Sequence, residues 1–490
     1  MSFEVVRAAQ AAIRETHSAI VFLVGDRAYK LKKPVDLGFL DFRTVAAREA
    51  ACKREVELNR RLAPDVYLGV ADIRGPDGVV CDHLVVMRRM SEDRRLSTLV
   101  AAGVPLEADL RQLAHLVAAF LEAADQPPAA REAASRDALA ARWEASFATI
   151  DELGGPVVDP SHAARVALLA RQYLRGREPL FDRRIAAGRA RDGHGDLLAD
   201  DVFLLEDGPR VLDCIEFDDT LRYGDVLADV AFLAMDLERL GRRDLGDLFL
   251  DAYRELTADT WPSSLAHHHV AYRAHVRAKV ACIRHAQGDQ SAREEARRFL
   301  EIAGRHLEAG RIRLIVIGGL PATGKSTIAA GLAESLGAVV LRSDEVRKAL
   351  SGKAAGDHAI AAPGRGIYTP EITAATYQEL LQRARVLLGL GESVVLDATW
   401  HDPDWRRAAA ALAIETAAEL TELRCVAPLE VAVARATHRL AEGADASDAD
   451  EAVIRSMASS EAPWPTATSI DTGTTAGRAV AEAIAAVRRT

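Results

Sequence analysis

Two stretches of this 490-residue chain carry residues whose types and spacing could move phosphate, and they lie far apart. In "GGLPATGKST", Gly319-x-x-x-x-Gly324-Lys325-Ser326 matches GxxxxGK[ST]. Its glycines let the backbone curl so that N–H groups point at phosphate oxygens. A helix after the loop adds its positive end. Lys325 is expected to reach β- and γ-phosphates and Ser326 to meet Mg²⁺, with Thr323 and Thr327 in the same nucleotide-binding stretch. Asp344 in "LRSDEVRK" follows a strand pattern; there a carboxylate can orient or deprotonate an acceptor hydroxyl, or cap the helix that starts at Glu345. Arg347 is placed to hold an anion. Asp397 in "VVLDATW" is the candidate second metal ligand. Arg435 and Arg439, four apart on one helical face, could close over the transferring phosphates or form a solvated basic face.

The other stretch is "RDGHGDLLADDVFLLEDGPRVLDCIEFDD", Arg191–Asp219. Asp196 would orient the proton of an attacking hydroxyl. Asp213 would end the second strand of a hairpin turned at Asp207-Gly208 and carry Mg²⁺ with its phosphate. Glu216 and Asp218 would add negative potential beside it.

The elements that must position these residues follow two patterns. From Arg311 onward, β-branched runs alternate with Ala/Leu-rich helical stretches, as in a parallel α/β sheet. Before that, "IVFLVGDRAYKLKKPV" reads as two strands around Gly25-Asp26, Arg43–Pro64 as a helix and Gly78–Met90 as a strand. Residues 95–190 are largely helical, and a charged helix near residue 300 bridges to the last domain. His267, His268, His269 and His275 sit in a helical pattern without carboxylates at ligand spacing, which favours a polar helix face over a metal site.

Composition narrows the function classes. A net charge of -10 and the lack of a basic stripe argue against nucleic-acid and membrane-surface partners. The five cysteines form no CxxC pair and suit a reducing cytoplasm. No leader-type segment is read at the N-terminus, and no apolar run is long enough for a transmembrane helix.

His194-Gly195-Asp196 followed by Asp213 resembles the catalytic core of aminoglycoside-phosphotransferase-like kinases, which share the protein-kinase fold. The resemblance implies that Lys30 pairs with the α- and β-phosphates and that Glu55 holds it, with Lys32 on the same strand face as a rival for that role. It implies Asp225 and Asp229 as braces of the catalytic loop. Where the family has a metal-binding Asn, this chain has Asp201, still an oxygen ligand but one more charge. The C-terminal set resembles small P-loop kinases of the gluconate-kinase, polynucleotide-kinase and zeta-toxin-like groups. Together the halves resemble bacterial proteins that join an aminoglycoside-phosphotransferase-like domain to an ATP-binding domain. The expectation is a bilobal α+β kinase-like domain over 1–310, with a small lobe over 1–90 and a helical lobe over 91–310, then an α/β P-loop domain over 311–490. ATP and Mg²⁺ are implied at both sites, with small-molecule hydroxyl acceptors. The rival expectation is an N-terminal domain that senses a nucleotide or metabolite and gates a C-terminal kinase.

Overall fold

The computed structural model describes residues 12–15, 18–36, 41–155, 157–352, 366–442 and 451–489, with backbone alone for 439–442. The chain divides into two compact units. One is Met1–Ala167, Phe181–Trp261 and Ala266–His306; the other is Leu168–Leu180, Pro262–Leu265 and Leu307–Thr490. Segments 168–180 and 262–265, which precede residue 310, thus group with the second unit.

The first unit is α+β, an antiparallel sheet followed by a largely helical part. It opens with an antiparallel sheet of β1 (Ala12–Glu15), β2 (Ala19–Val24), β3 (Arg27–Lys32), β4 (Tyr67–Arg74) and β5 (Val80–Arg88), in the order β1-β2-β3-β5-β4. The sequence pattern predicts a strand, a strand, a helix and a strand here. It misses β1, a four-residue exposed edge, and β4, whose "YLGVADIR" contains a glycine and two charges. Helix Val45–Asn59 begins where Thr44 accepts a hydrogen bond from the Ala47 N–H at 3.2 Å. Its buried stripe of Arg48, Cys52, Glu55, Val56 and Asn59 packs on the sheet through Cys52 and Val56 against Val85, Met87 and Tyr67. That stripe brings a charged Glu55 into the same core as β3.

The helical part of the unit carries two small antiparallel pairs. β6 (Ala190–Asp192) pairs with β9 (Tyr223–Asp225), and β7 (Val202–Leu205) pairs with β8 (Gly208–Val211). Helices Val226–Arg239 and Ser263–Ala286 meet where Arg273 Nε donates to the Ala228 carbonyl at 3.0 Å. The second of these does not show a polar face of histidines: His268, His269 and His275 are buried. His268 accepts from the Trp143 indole N–H at 3.1 Å, and His275 Nδ1 lies 2.8 Å from Ser146 Oγ. The Trp143 ring packs against His268 and His275, and Phe147 against His275.

The second unit is an α/β P-loop fold. β10 (Arg313–Gly318), β11 (Val339–Arg342), β12 (Val394–Asp397), β13 (Glu419–Val426) and β14 (Thr468–Asp471) form a sheet in the order β11-β12-β10-β13-β14, with all four pairings parallel. Ile315, Ile317, Val395, Leu423 and Ile470 fill one face beneath helices Lys325–Leu336 and Ala476–Arg489. β10 lies between β12 and β13, so the strand order reverses beside it, and the loop after β10 opens at this switch point. No helix of the described residues is long and apolar enough to cross a membrane.

Candidate active sites

Period-two geometry sends Lys30 and Lys32 of β3 to the same face, and Glu55 meets both. Lys30 Nζ donates to Glu55 Oε1 at 2.9 Å and to Asp213 Oδ1 at 2.6 Å. Lys32 Nζ donates to Glu55 Oε2 at 2.7 Å and also pairs with Glu216. Glu55 is fully buried and Lys32 nearly so, whereas Asp213 is half exposed. The two lysines differ in their second partner and in exposure. Lys30 bridges the helix carboxylate to the loop aspartate, and Lys32 anchors from below. Glu216 does not add free negative potential, because Lys32 neutralises it. Asp218 instead caps the short turn at Asp219–Leu221, accepting from the Thr220 N–H at 2.9 Å. The two lysine charges hold the Glu55 carboxyl below its usual range against the desolvation that raises it.

Asp213 lies two residues beyond β8 rather than at its end, in a left-handed conformation with φ 65°. Its neighbours fix that turn. The Asp213 N–H donates to Tyr67 Oη at 3.2 Å, and the Cys214 N–H donates to Asn59 Oδ1 at 2.9 Å. Arg61 donates to the carbonyls of Asp192 and Gly193 at 3.2 and 3.1 Å. Neither Asn59 nor Arg61 was singled out in the sequence. Asn59 is four residues after Glu55, so helical spacing alone puts the two on one face.

The loop that carries Asp196 is held by Asp229. Its carboxylate accepts from the N–H groups of His194 at 2.5 Å and Gly195 at 3.0 Å. A Cβ on Gly193 would run into that same carboxylate, so glycine is required there. Asp225 braces one step further out, capping helix Val226–Arg239 through the Leu227 N–H at 2.9 Å and binding Arg184 at 2.6 Å. Asp196 itself is one-third exposed and lies 3.7 Å from Arg277. Burial raises its carboxyl, with Arg277 and Arg273 pulling the other way. Asp201 is pushed well up, by burial first and then by the charges of Asp213 and Asp196.

Mg²⁺ characteristically takes one or two protein carboxylates and completes its shell with phosphate and water. Asp201 and Asp213 suit that arrangement, because a buried carboxyl strained by its neighbours' charge is relieved by a cation. Among the described residues no three acidic, His or Cys side chains form a ready metal cluster.

In the second unit the loop after β10 is shaped by glycine. Gly319 has φ 128°, and a Cβ there would strike the Cys425 carbonyl. Gly324, with φ 88°, starts helix Lys325–Leu336, leaving that helix's first N–H groups at the loop. Thr323 Oγ1 and Lys325 Nζ donate to the Leu320 carbonyl at 2.8 and 2.9 Å, while Thr327 is exposed. Ser326 Oγ donates to Asp397 Oδ2 at 2.7 Å, an adjacent oxygen pair of the kind a hard cation takes. Arg342 lies beside both, 3.1 Å from Ser326 Oγ and 3.4 Å from Asp397.

Asp344 does not cap its helix. The helix spans Ser343–Leu350 with Arg342 at the capping position, and Asp344 sits in the first turn, 3.2 Å from Arg347. Burial raises the Asp344 carboxyl, with Arg347 and Lys325 opposing. Arg347 also lies over the Tyr368 ring at 4.9 Å. Arg435 comes to the glycine loop, within 4.0 Å of where a Cβ on Gly324 would stand, and donates to the Thr472 carbonyl at 2.9 Å. The Arg439 side chain lies outside the described residues.

The AAA domain family (AAA_33) matches residues 314–463. Uncharacterized proteins of Mycobacterium tuberculosis and Mycobacterium bovis are each 44% identical over 473 residues, covering 96% of this chain and 94% of theirs. The chain belongs to their family. The AAA match falls within the second unit. Among solved structures, a choline/ethanolamine kinase family protein from Mesorhizobium loti is 15% identical, covering 62% of this chain and 92% of its own, with TM-score 0.40. The GDP complex of aminoglycoside 2'-phosphotransferase-IIIa is 15% identical over 62% of this chain and 95% of its own, with TM-score 0.37. A gluconokinase from Sinorhizobium meliloti is 18% identical over 36% of this chain and 94% of its own, with TM-score 0.27.

Proposed function

We propose that the protein is an ATP-dependent phosphotransferase with two nucleotide sites, each passing a γ-phosphoryl group to a hydroxyl of a small molecule. The observation that carries this reading is Lys30, held between Glu55 and Asp213 in the unit that also presents Asp196. That arrangement positions a cation for phosphates beside carboxylates for a metal and for a proton.

In the first unit Asp196 orients the acceptor hydroxyl and takes its proton as the new oxygen–phosphorus bond forms and the bond to the ADP oxygen breaks. Asp229 keeps the loop in register through the His194 and Gly195 N–H groups. Asp201 and Asp213 would hold Mg²⁺, which neutralises phosphate charge when bound. In the second unit the Gly319–Gly324 backbone, Lys325, Thr323 and Thr327 serve the phosphates. Ser326 and Asp397 would hold the metal, Asp344 orients the acceptor, and Arg435 acts at the loop from the helix Leu429–Glu442.

The test is ATP consumption by the full chain against a library of hydroxyl compounds. Asp196→Asn should remove one subset of activities and Lys325→Ala a different one. If Asp196→Asn leaves every activity intact, the first unit is a nucleotide- or metabolite-sensing gate on the second, a reading that the extra carboxylate of Asp201 favours.

A further inference from the structure

Helix Ser263–Ala286 sends two arginines, four residues apart, toward the loop that carries Asp196. Arg273 is held by residues of helix Val226–Arg239. Its Nε donates to the Ala228 carbonyl at 3.0 Å, its Nη2 to Asp229 Oδ1 at 3.4 Å, and its guanidinium lies 4.6 Å from the Phe232 ring centre. Arg277 differs. Its one ionic partner among the described residues is Asp196, at 3.7 Å, and none of its N–H groups donates a hydrogen bond to a described residue. Its side chain is 23% exposed beside a carboxylate that is 34% exposed. Five donors in a planar fork therefore border the space from which an acceptor hydroxyl would reach Asp196.

The structural arginines of this unit behave otherwise. Arg184 is buried and doubly bonded to Asp225 and Asp259, and Arg222 is buried against Asp192 and Asp219. The nucleotide side of the cluster already has a cation in Lys30. Helix Ser263–Ala286 contains no Asp or Glu at all, so it offers nothing to a polycationic acceptor.

We propose that Arg277 binds the acceptor of the first site, and that this acceptor carries a carboxylate or phosphate close to the hydroxyl that is phosphorylated. The inference rests on the reading of Asp196 given above. Arg277 forms a charge-assisted, fork-shaped contact with the acceptor's anion. The acceptor hydroxyl then gives its proton to Asp196, bonds to the γ-phosphorus of ATP, and ADP leaves with the bridging oxygen. An acceptor with an ammonium at that position would face Arg277 as a like charge.

Four probes with a common frame test this: gluconate, glucose 6-phosphate, glucose and glucosamine. They are titrated calorimetrically into the full chain carrying Lys325→Ala, with and without Arg277→Ala, Arg277→Gln or Arg277→Lys. At least one anion should bind about tenfold or more tighter than glucose and glucosamine. Arg277→Ala and Arg277→Gln should erase that margin, and Arg277→Lys should keep part of it. The proposal is overturned if neither anion binds, if glucose or glucosamine binds as tightly, or if the margin survives in Arg277→Ala. It is also overturned if Arg277→Ala lowers kcat equally for every acceptor with no change in acceptor affinity. Asp196→Asn separates the two claims. It should abolish turnover while leaving the anion margin in place; unchanged turnover would sink the phosphotransfer reading, and loss of the margin only in the Arg277 variants would still identify the anion site.

Discussion

The two units assemble their sites from opposite materials. In the second, the loop between β10 and helix Lys325–Leu336 is made of backbone, and its shape depends on glycines at φ 128° and 88°. In the first, the corresponding cations and carboxylates are side chains gathered from β3, helix Val45–Asn59 and the segment after β8. A backbone cradle is local and stands or falls with a few neighbouring residues. A side-chain cluster depends on docking between distant elements, so a single charge change there is felt in the fold as well as the chemistry.

Removing the hub of the cluster gives the largest contrast. Glu55→Ala leaves two lysines around an empty buried position and should destabilise the first unit by about 3 kcal/mol. It should also cost its turnover about 100-fold or more, with the second unit's activity unchanged. Denaturant unfolding and separate acceptor assays check both halves. Gly319→Ala should do the reverse. The Cys425 carbonyl and the positive φ oppose the methyl, so nucleotide affinity of the second unit should fall at least about tenfold with the first unit unaffected, as read by calorimetry.

The pH profiles sharpen the comparison further. Burial raises both Asp196 and Asp344, so each unit's kcat/KM should fall on the acid side at a pH above that of an ordinary Asp, about 3.9. Arg277 lowers Asp196, so Arg277→Ala should move the first unit's acid limb upward. Arg347→Ala should do the same for the second unit alone. The smallest effect is expected at Asp201. Its folded-state carboxyl is raised, so its ionised form costs stability as pH climbs past the unfolded value. Asp201→Asn in EDTA should therefore raise Tm by about 2 °C at neutral pH and have no effect below about pH 3.9.

Legibility in the sequence follows the same division. Gly319 to Ser326 are contiguous, so their chemistry can be read without knowing the fold. Asp196 and Asp213 are separated by a hairpin whose Asp-Gly turn is itself visible, which made them readable as a pair. Lys30 and Lys32 are alike in the sequence because both lie on one face of β3, and Glu55 binds both; they differ in their partners after β8, Asp213 for Lys30 and Glu216 for Lys32. Arg277 was hidden for a related reason. It sits in a helix of histidines and arginines whose pattern suggests solvent, and its meaning depends on a loop some eighty residues earlier in the chain. β1 and β14 escaped notice as four-residue edge strands with weak alternation. The burial of His268 and His275 is not legible in the sequence because the rings that pack on them, Trp143 and Phe147, lie more than a hundred residues away.

Asn59 joins two parts of the first unit that need not have been joined. Its side-chain N–H donates back to the Glu55 carbonyl at 2.9 Å while its oxygen receives the Cys214 N–H. Helix Val45–Asn59 and the aspartate turn are thereby geared together: neither can rotate without the other. The Cys214 amide becomes a built-in gauge, exchanging its hydrogen with solvent only when that gear disengages.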